Sequence, residues 1–204
     1  MESIPPDQQM DEAWSRRPVF GGVLIGGSST RMGRTKSLLR HHGKTFVELV
    51  IAVVHRRVER VVLLGEGQTT EVPAETAILP DAPGLAGPLA GILAALRWQP
   101  EACWIIVACD LPLLRVAALD WLLAQRRPGC WAVLPRVGPE RVEPLLAVYE
   151  PESLKLLEQV LARGHRSPRH LEGQPAVCSP TPPVDLHDCW TNVNTPEEYR
   201  RLTS

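Results

Sequence analysis

Residues 19–36 read VFGGVLIGGSSTRMGRTK: an apolar run over 19–25, rich in β-branched residues, breaks into glycines and then into serines, arginines and a lysine. A continuous apolar run bounded by glycines predicts a strand buried on both faces, as in a parallel sheet covered by helices. The glycines at its end let the backbone turn sharply and present N–H groups to an anion at close range. Gly33 is followed by Arg-Thr-Lys, so there is no G-x-x-x-x-G-K-[ST], and no G-x-G-x-x-G can be placed at this loop. The phosphate cradle therefore belongs to another class. It adds Arg31 and Lys36, two fixed cations suited to a triphosphate and a departing pyrophosphate. A surface loop with incidental basic residues would fit a lone Gly-Gly; Gly26, Gly27, Ser29, Arg31, Gly33 and Lys36 together argue against it.

Outward from this loop the pattern alternates. Thr45-Phe-Val-Glu48 is a capping box opening a helix to about residue 58, and strands are predicted at 61–64 and 76–79. A helix at 86–98, an apolar strand at 104–109 and a helix at 113–126 follow. Strands at 131–134 and 145–149 and a helix at 152–163 come next. Thr195-Pro-Glu-Glu198 opens a last helix with proline at its first position. Alternating strands and helices predict an α/β fold, a three-layer sandwich with a mostly parallel sheet and right-handed crossovers. In such sheets ligands bind beyond the carboxyl ends of the strands. The loop from Gly26, Asp81 and Asp110 each follow a predicted strand, so parallel strands would bring all three to one cleft.

Length and composition bound the function. A chain of 204 residues suits one domain, expected over 18–204, with a disordered arm at 1–17. A net charge of −1 gives no whole-molecule attraction to nucleic acid or to an anionic membrane, so any anion is held locally. The N-terminal residues are acidic and proline-bearing where a signal peptide would be apolar, and no segment approaches the length of a membrane span. Five cysteines, an odd number without a C-x-x-C pair, argue for a reducing compartment and against a disulfide scaffold. Together these features predict a cytoplasmic protein.

Each candidate residue has a plainer reading beside the functional one. Asp110, at the end of an apolar strand, is costly to bury ionised without a partner and is a natural Mg2+ ligand; it could also cap the helix near residue 113. Asp81, in Leu-Pro-Asp-Ala-Pro-Gly, is a turn former whose carboxylate can also accept from a purine's ring N–H and amino group. Gly87 to Gly91 is either a tight helix start or a place where a base approaches the backbone. Asn194 reads as a turn residue before Thr195, although strand alternation would turn Asn192 and Asn194 to one side. Residues 163–170, RGHRSPRH, form a basic loop that is either solvated or, through Arg166 and its neighbours, a seat for an anion. His41-His42-Gly43 reads as a solvated turn, and Cys178, His187 and Cys189 match no standard zinc spacing. The six tryptophans read as packing residues.

Leu24-Ile-Gly-Gly27, Ser29, Arg31-Met-Gly33 and Lys36 resemble the signature loop of the nucleotidyltransferases that build dinucleotide forms of the molybdenum cofactor. The resemblance continues through Gly87-Pro-Leu-Ala-Gly91, Cys109-Asp-Leu-Pro112 and Asn192-Val-Asn-Thr-Pro196, from about residue 18 to the C-terminus. It implies a Rossmann-like nucleotidyltransferase fold and transfer of GMP from GTP to the phosphate of molybdopterin, releasing pyrophosphate, with Mg2+ on Asp110. It further implies catalytic roles for Arg31, Lys36 and Asp110, and nucleotide contacts at Leu24, Ile25, Gly26, Gly27, Lys36, Asp81, Gly87 and Asp110. Asn192, Asn194 and Arg166 fall to the acceptor, with Asn192 and Asn194 alternatively a second metal position. The partners implied are the two substrates and proteins that deliver the acceptor or receive the product. Ile25 departs from the alanine usual in the family, at the edge where the base would sit. Gly26-Gly27 and Gly87–Gly91 favour the guanine branch; a CTP-using relative is the near alternative, and a nucleotide-binding regulatory module without turnover the more distant one.

Overall fold

The computed structural model describes residues 14, 16–26, 38–67, 72–73, 76–139 and 141–203. Nine strands are found among them: β1 (Val19–Leu24), β2 (Arg40–His41), β3 (Lys44–Thr45), β4 (Arg60–Leu64), β5 (Ala77–Leu79), β6 (Cys103–Ala108), β7 (Ala132–Val133), β8 (Leu146–Tyr149) and β9 (Val177–Cys178). The helices are α1 (Phe46–Val54), α2 (Pro88–Trp98), α3 (Val116–Ala124), α4 (Ser153–Ala162) and α5 (Pro196–Thr203), with 3-10 turns at Pro168–Leu171 and Val184–Trp190.

Seven strands form one sheet in the order β5-β4-β1-β6-β8-β7-β9, and β2 pairs with β3 in a small hairpin. β5, β4, β1 and β6 run parallel; β8 runs against both β6 and β7, and β9 is parallel to β7. The predicted mostly parallel sheet is thus observed. The central strands are apolar on both sides because both faces are covered: all six residues of β6 are buried. On one face Val23, Val61, Val107 and Val148 pack with α1, α3 and the turn at Val184–Trp190. On the other, Leu24, Val62, Leu64, Trp104 and Ile106 pack with α2 and α4. The chain leaves β1 toward β4 and β5, then returns to place β6 on the other side of β1, so the strand order reverses between β1 and β6. In open α/β sheets such a reversal marks where ligands bind, beyond the carboxyl ends of the two strands.

The capping box at Thr45 is present in full: Glu48 N–H donates to Thr45 Oγ1, and Thr45 N–H donates to Glu48 Oε2 at 2.6 Å. The helix it opens stops at Val54, short of the predicted residue 58, as His55–Arg57 form a turn. The helix predicted over 113–126 shrinks to Val116–Ala124, because Arg115 is extended at φ −123°, ψ 152°. The His41-His42-Gly43 turn is observed, with positive φ at His42 (49°) and Gly43 (79°), but it closes the unpredicted hairpin β2–β3. β9 and the two 3-10 turns were also unpredicted; two-residue strands carry no hydrophobic period to read.

Cys130 and Cys178 form a disulfide with Cα atoms 6.0 Å apart, which the cysteine spacing did not predict: β7 and β9 are neighbours in space but 48 residues separate the pair. It is one bond on a chain with a full hydrophobic core, and Cys103, Cys109 and Cys189 are buried thiols. No helix among the described residues is long and apolar enough to cross a membrane. Residues 1–13 and 15 of the expected arm lie outside the described residues. Trp14 sits under the Arg126 guanidinium, 4.8 Å from its ring centroid, and Arg17 pairs with Glu152 at 2.6 Å.

Candidate functional site

Backbone register fixes the cleft. Leu79, Leu64, Leu24 and Ala108 are paired in one row across β5, β4, β1 and β6. Pairing continues one step beyond: Ile25 N–H donates to Leu64 C=O (3.0 Å), Gly65 N–H to Leu79 C=O (2.9 Å) and Cys109 N–H to Leu24 C=O (3.1 Å). Asp81 lies two residues past one end of this row and Asp110 two past the other, with Gly26 between them past Leu24. Three inter-strand spacings separate the ends, roughly 14 Å, a span an extended nucleoside phosphate can bridge.

At the β5 end the backbone segments approach closely. Gly65 has φ 93°, where a side chain is strained, and a Cβ there would stand 3.3 Å from Asp81 Oδ1 and 3.4 Å from the Cα and N of Gly26. A Cβ on Gly91 would meet Leu24 Cδ2 at 2.8 Å and Leu64 Cβ at 3.3 Å, with Asp81 Oδ1 at 3.5 Å, so α2 lies tight against the sheet end. Gly87 is the N-cap of α2 at φ 81°, followed by Pro88. Its carbonyl accepts from Ala90 N–H (2.9 Å), and Ala82 N–H donates to Ala90 C=O (3.3 Å), which ties the Asp81 loop to the first turn of α2. Burial pushes the Asp81 carboxyl above the ordinary aspartate range, and nearby Glu66 pushes it further.

Ile25 is 4% exposed and packs into the layer of α1 and α3, whereas Leu24 packs in the opposite layer beside α2. The extra bulk over alanine is therefore taken up by the core on the face away from α2. Gly65 and Gly67 were missed by sequence reasoning. Their signal was present: Leu-Gly-Glu-Gly at 64–67 ends β4 as Leu-Ile-Gly-Gly at 24–27 ends β1.

At the β6 end, Asp110 is 8% exposed. Asn192 Nδ2 donates to its Oδ1 at 2.8 Å, and Val193 N–H donates to its backbone carbonyl at 3.0 Å. Asn192 thus meets Asp110 directly. Asn194 is half-buried and its N–H donates to Glu198 Oε2 at 2.6 Å, within the capping box that Thr195 and Glu198 form. Arg166 is exposed in the segment between α4 and the turn at Pro168–Leu171. The turn that follows it reaches the same end of the sheet, since its Arg169 pairs at 3.6 Å with Glu143, which precedes the start of antiparallel β8. Burial raises the Glu143 carboxyl, and Arg169 works against the rise. His165 and His170 stack at 3.8 Å beside these arginines.

Gly27, Arg31 and Lys36, with the rest of 27–37, lie outside the described residues. No group of three or more His, Cys, Asp and Glu side chains suited to a metal occurs among the described residues, and Cys178, His187 and Cys189 do not gather. The Asp110 carboxylate, past the end of β6, is the type of donor that holds a cation shared with substrate phosphates and water, and Mg2+ fits that chemistry.

Comparison with known proteins gives the family. The chain is 31% identical over 92% of its length to a "Molybdenum cofactor biosynthesis bifunctional protein" of Synechocystis sp., of which it spans only 54%. It is 31% identical over 88% of its length, and 92% of the relative, to the Bacillus anthracis protein named "Probable molybdenum cofactor guanylyltransferase". Among solved structures, molybdopterin-guanine dinucleotide biosynthesis protein A from Archaeoglobus fulgidus superposes with a TM-score of 0.71 at 25% identity, covering 90% of this chain and 96% of that one. The MobA-like NTP transferase domain matches residues 21–176, within which both ends of the cleft row lie, and the chain belongs to that family of nucleotidyltransferases.

Proposed function

We propose that the protein transfers GMP from GTP to the phosphate of molybdopterin, with Mg2+, releasing pyrophosphate. The observation that carries this reading is the single row at the sheet's carboxyl end, with Asp81 past one end and Asp110 past the other, on either side of the glycine-rich loop. Asp81, beside Gly65 and Gly91, has the acceptor atoms to take the guanine ring N–H and amino group, and Leu24, Gly26, Gly27 and Gly87 would contact the nucleotide. Ile25, turned into the core, leaves this discrimination to Asp81, which supports GTP over CTP.

Asp110 would hold the divalent cation, which neutralises phosphate charge in the reaction. An oxygen of the acceptor phosphate forms the new bond to the α-phosphorus as the bond to the pyrophosphate oxygen breaks. No general base is needed, because a phosphate monoester with a second pKa of about 6 is largely dianionic at neutral pH. Lys36 and Arg31 would take the charge that builds on the pyrophosphate, and the arginines around Arg166 would draw the anionic acceptor.

The test is pyrophosphate release from GTP and, separately, from CTP, with Mg2+ and molybdenum-loaded molybdopterin and with acceptor-free controls. Release from GTP that depends on acceptor is expected. Release from CTP alone would move the protein to cytidylyl transfer, and nucleotide binding without release would make it a binding module.

A further inference from the structure

Asn192 and Val193 grip Asp110 twice, by side chain and by backbone, from 82 residues away. An ionised carboxylate only accepts hydrogen bonds, so the group facing Asp110 Oδ1 is the Asn192 NH2, which has no lone pair for a metal. The dipeptide is itself anchored on both sides. Upstream, Trp190 Nε1–H donates to Leu146 C=O (3.1 Å) and Cys189 is fully buried. Downstream, Glu198 takes the N–H groups of Asn194 and Thr195, and Tyr199 Oη–H donates to Arg40 C=O at 2.7 Å. Between them the Val193 side chain, 3% exposed, packs with Leu39 and Phe46. Leu39 and Arg40 are the chain emerging from the glycine-rich loop, and Phe46 N–H donates to Leu39 C=O at 2.8 Å.

We propose that Asn192 is a positioning residue: its amide sets the orientation of the Asp110 carboxylate for a divalent cation, and the run from Asn192 to Tyr199 braces that carboxylate against the exit of the glycine-rich loop. This rests on the reading of Asp110 as the cation's ligand and changes the role given to Asn192 from acceptor contact to metal-site support. A carboxylate free to rotate on its stem presents its oxygens correctly only part of the time; a donor fixed from a second element removes that freedom. Partners of this kind are worth 10- to 100-fold in metal affinity, on the order of what a hydrogen-bonded outer group supplies in other metal sites.

The experiment compares the parent chain with Asn192→Ala, Asn192→Ser and Asp110→Asn. Mn2+ binding is read directly from the loss of the free-ion electron paramagnetic resonance signal. Pyrophosphate release is then followed against Mg2+ and, at saturating metal, against acceptor. Asn192→Ala is expected to weaken Mn2+ binding about 10- to 100-fold, with the maximal rate recovered at high metal and the half-saturating acceptor concentration unchanged. Asn192→Ser keeps a donor on a shorter side chain and should fall between, which also covers a failure of the alanine variant to fold. Unchanged Mn2+ affinity with a raised acceptor requirement would overturn the proposal in favour of an acceptor contact. Anomalous density in Mn2+-loaded crystals placing the ion on Asn192 Oδ1 would overturn it in favour of a ligand. If Asp110→Asn binds Mn2+ like the parent, the metal reading beneath the proposal fails, and Asn192 fails with it.

Discussion

Asp81 and Asp110 both follow apolar strands, yet their surroundings differ. Asp110 is nearly enclosed, with its carboxylate accepting from the Asn192 amide and its backbone carbonyl from Val193 N–H, the setting of a group kept in one orientation. Substituting Asp110→Asn removes the charge and keeps the shape, so pyrophosphate release should fall by orders of magnitude, far more than GTP affinity. Equal rates at saturating Mg2+ and nucleotide would refute the assignment. Asp81 instead bears a cost in the folded protein: burial and Glu66 raise its pKa, so the ionised form is disfavoured by folding. A carboxyl with a raised folded pKa lowers stability as pH climbs from its unfolded value, about 3.9, through the folded one, and the loss persists above it. Asp81→Asn should therefore melt higher than the parent at pH 7 while binding GTP more weakly, with the difference in melting temperature closing as the pH approaches 4. Thermal melts at the two pH values and a GTP titration check both halves. These two aspartates were legible in the sequence because each follows an apolar run. The partner of Asp110 was not, since only the folded chain brings Asn192 across 82 residues. Gly65 went unread because a glycine after a strand is ordinary until its neighbours are known.

Elements were legible where a local interaction defines them. Thr45 and Glu48 announce α1, Thr195 and Glu198 announce α5, and both boxes are present. The strands β2, β3, β7 and β9 have two residues each and exist only because a neighbour pairs with them, so the sequence carries little sign of their limits. α1 matters to the site because its cap directly follows the chain leaving the glycine-rich loop. Thr45 is 1% exposed, and losing its cap through Thr45→Ala should cost about 1 kcal/mol. The same change should alter the acid limb. The Thr45 hydroxyl and N–H hold the Glu48 carboxyl below the ordinary glutamate range, a stabilisation present above the unfolded pKa of about 4.3 and lost as pH falls through the folded value. Denaturant titrations across pH 3 to 7 should show Thr45→Ala less stable at neutral pH, with the gap narrowing in acid. A constant gap would mean the cap works without the Glu48 half of the box.

Across the whole molecule, the two ends of the sheet do different work. The carboxyl ends of β1, β4, β5 and β6 carry the glycines and aspartates of the candidate site, while the amino ends carry an ion network. Because β8 runs antiparallel, its last residue, Tyr149, pairs with Trp104 near the start of β6, and Glu150 emerges at that far end. Glu150 is 1% exposed and takes Arg126 Nε at 2.6 Å and Nη2 at 3.3 Å, with Arg17 Nη1 at 3.4 Å; Arg17 also pairs with Glu152. The network joins the segment entering β1, the end of α3 and the start of α4, three parts that share no strand pairing. Glu150→Gln would leave Arg126 buried without its counter-charge, and breaking one partner of a buried pair costs about 3–5 kcal/mol. The loss should appear in chemical denaturation. At a temperature where both proteins remain folded, the half-saturating GTP and Mg2+ concentrations and the turnover per folded molecule should match the parent, because the substitution sits at the opposite end of the strands from Asp81 and Asp110. A changed Mg2+ requirement in Glu150→Gln would show that the two ends are coupled through β6, and the division of the sheet into a holding end and a reacting end would have to be given up.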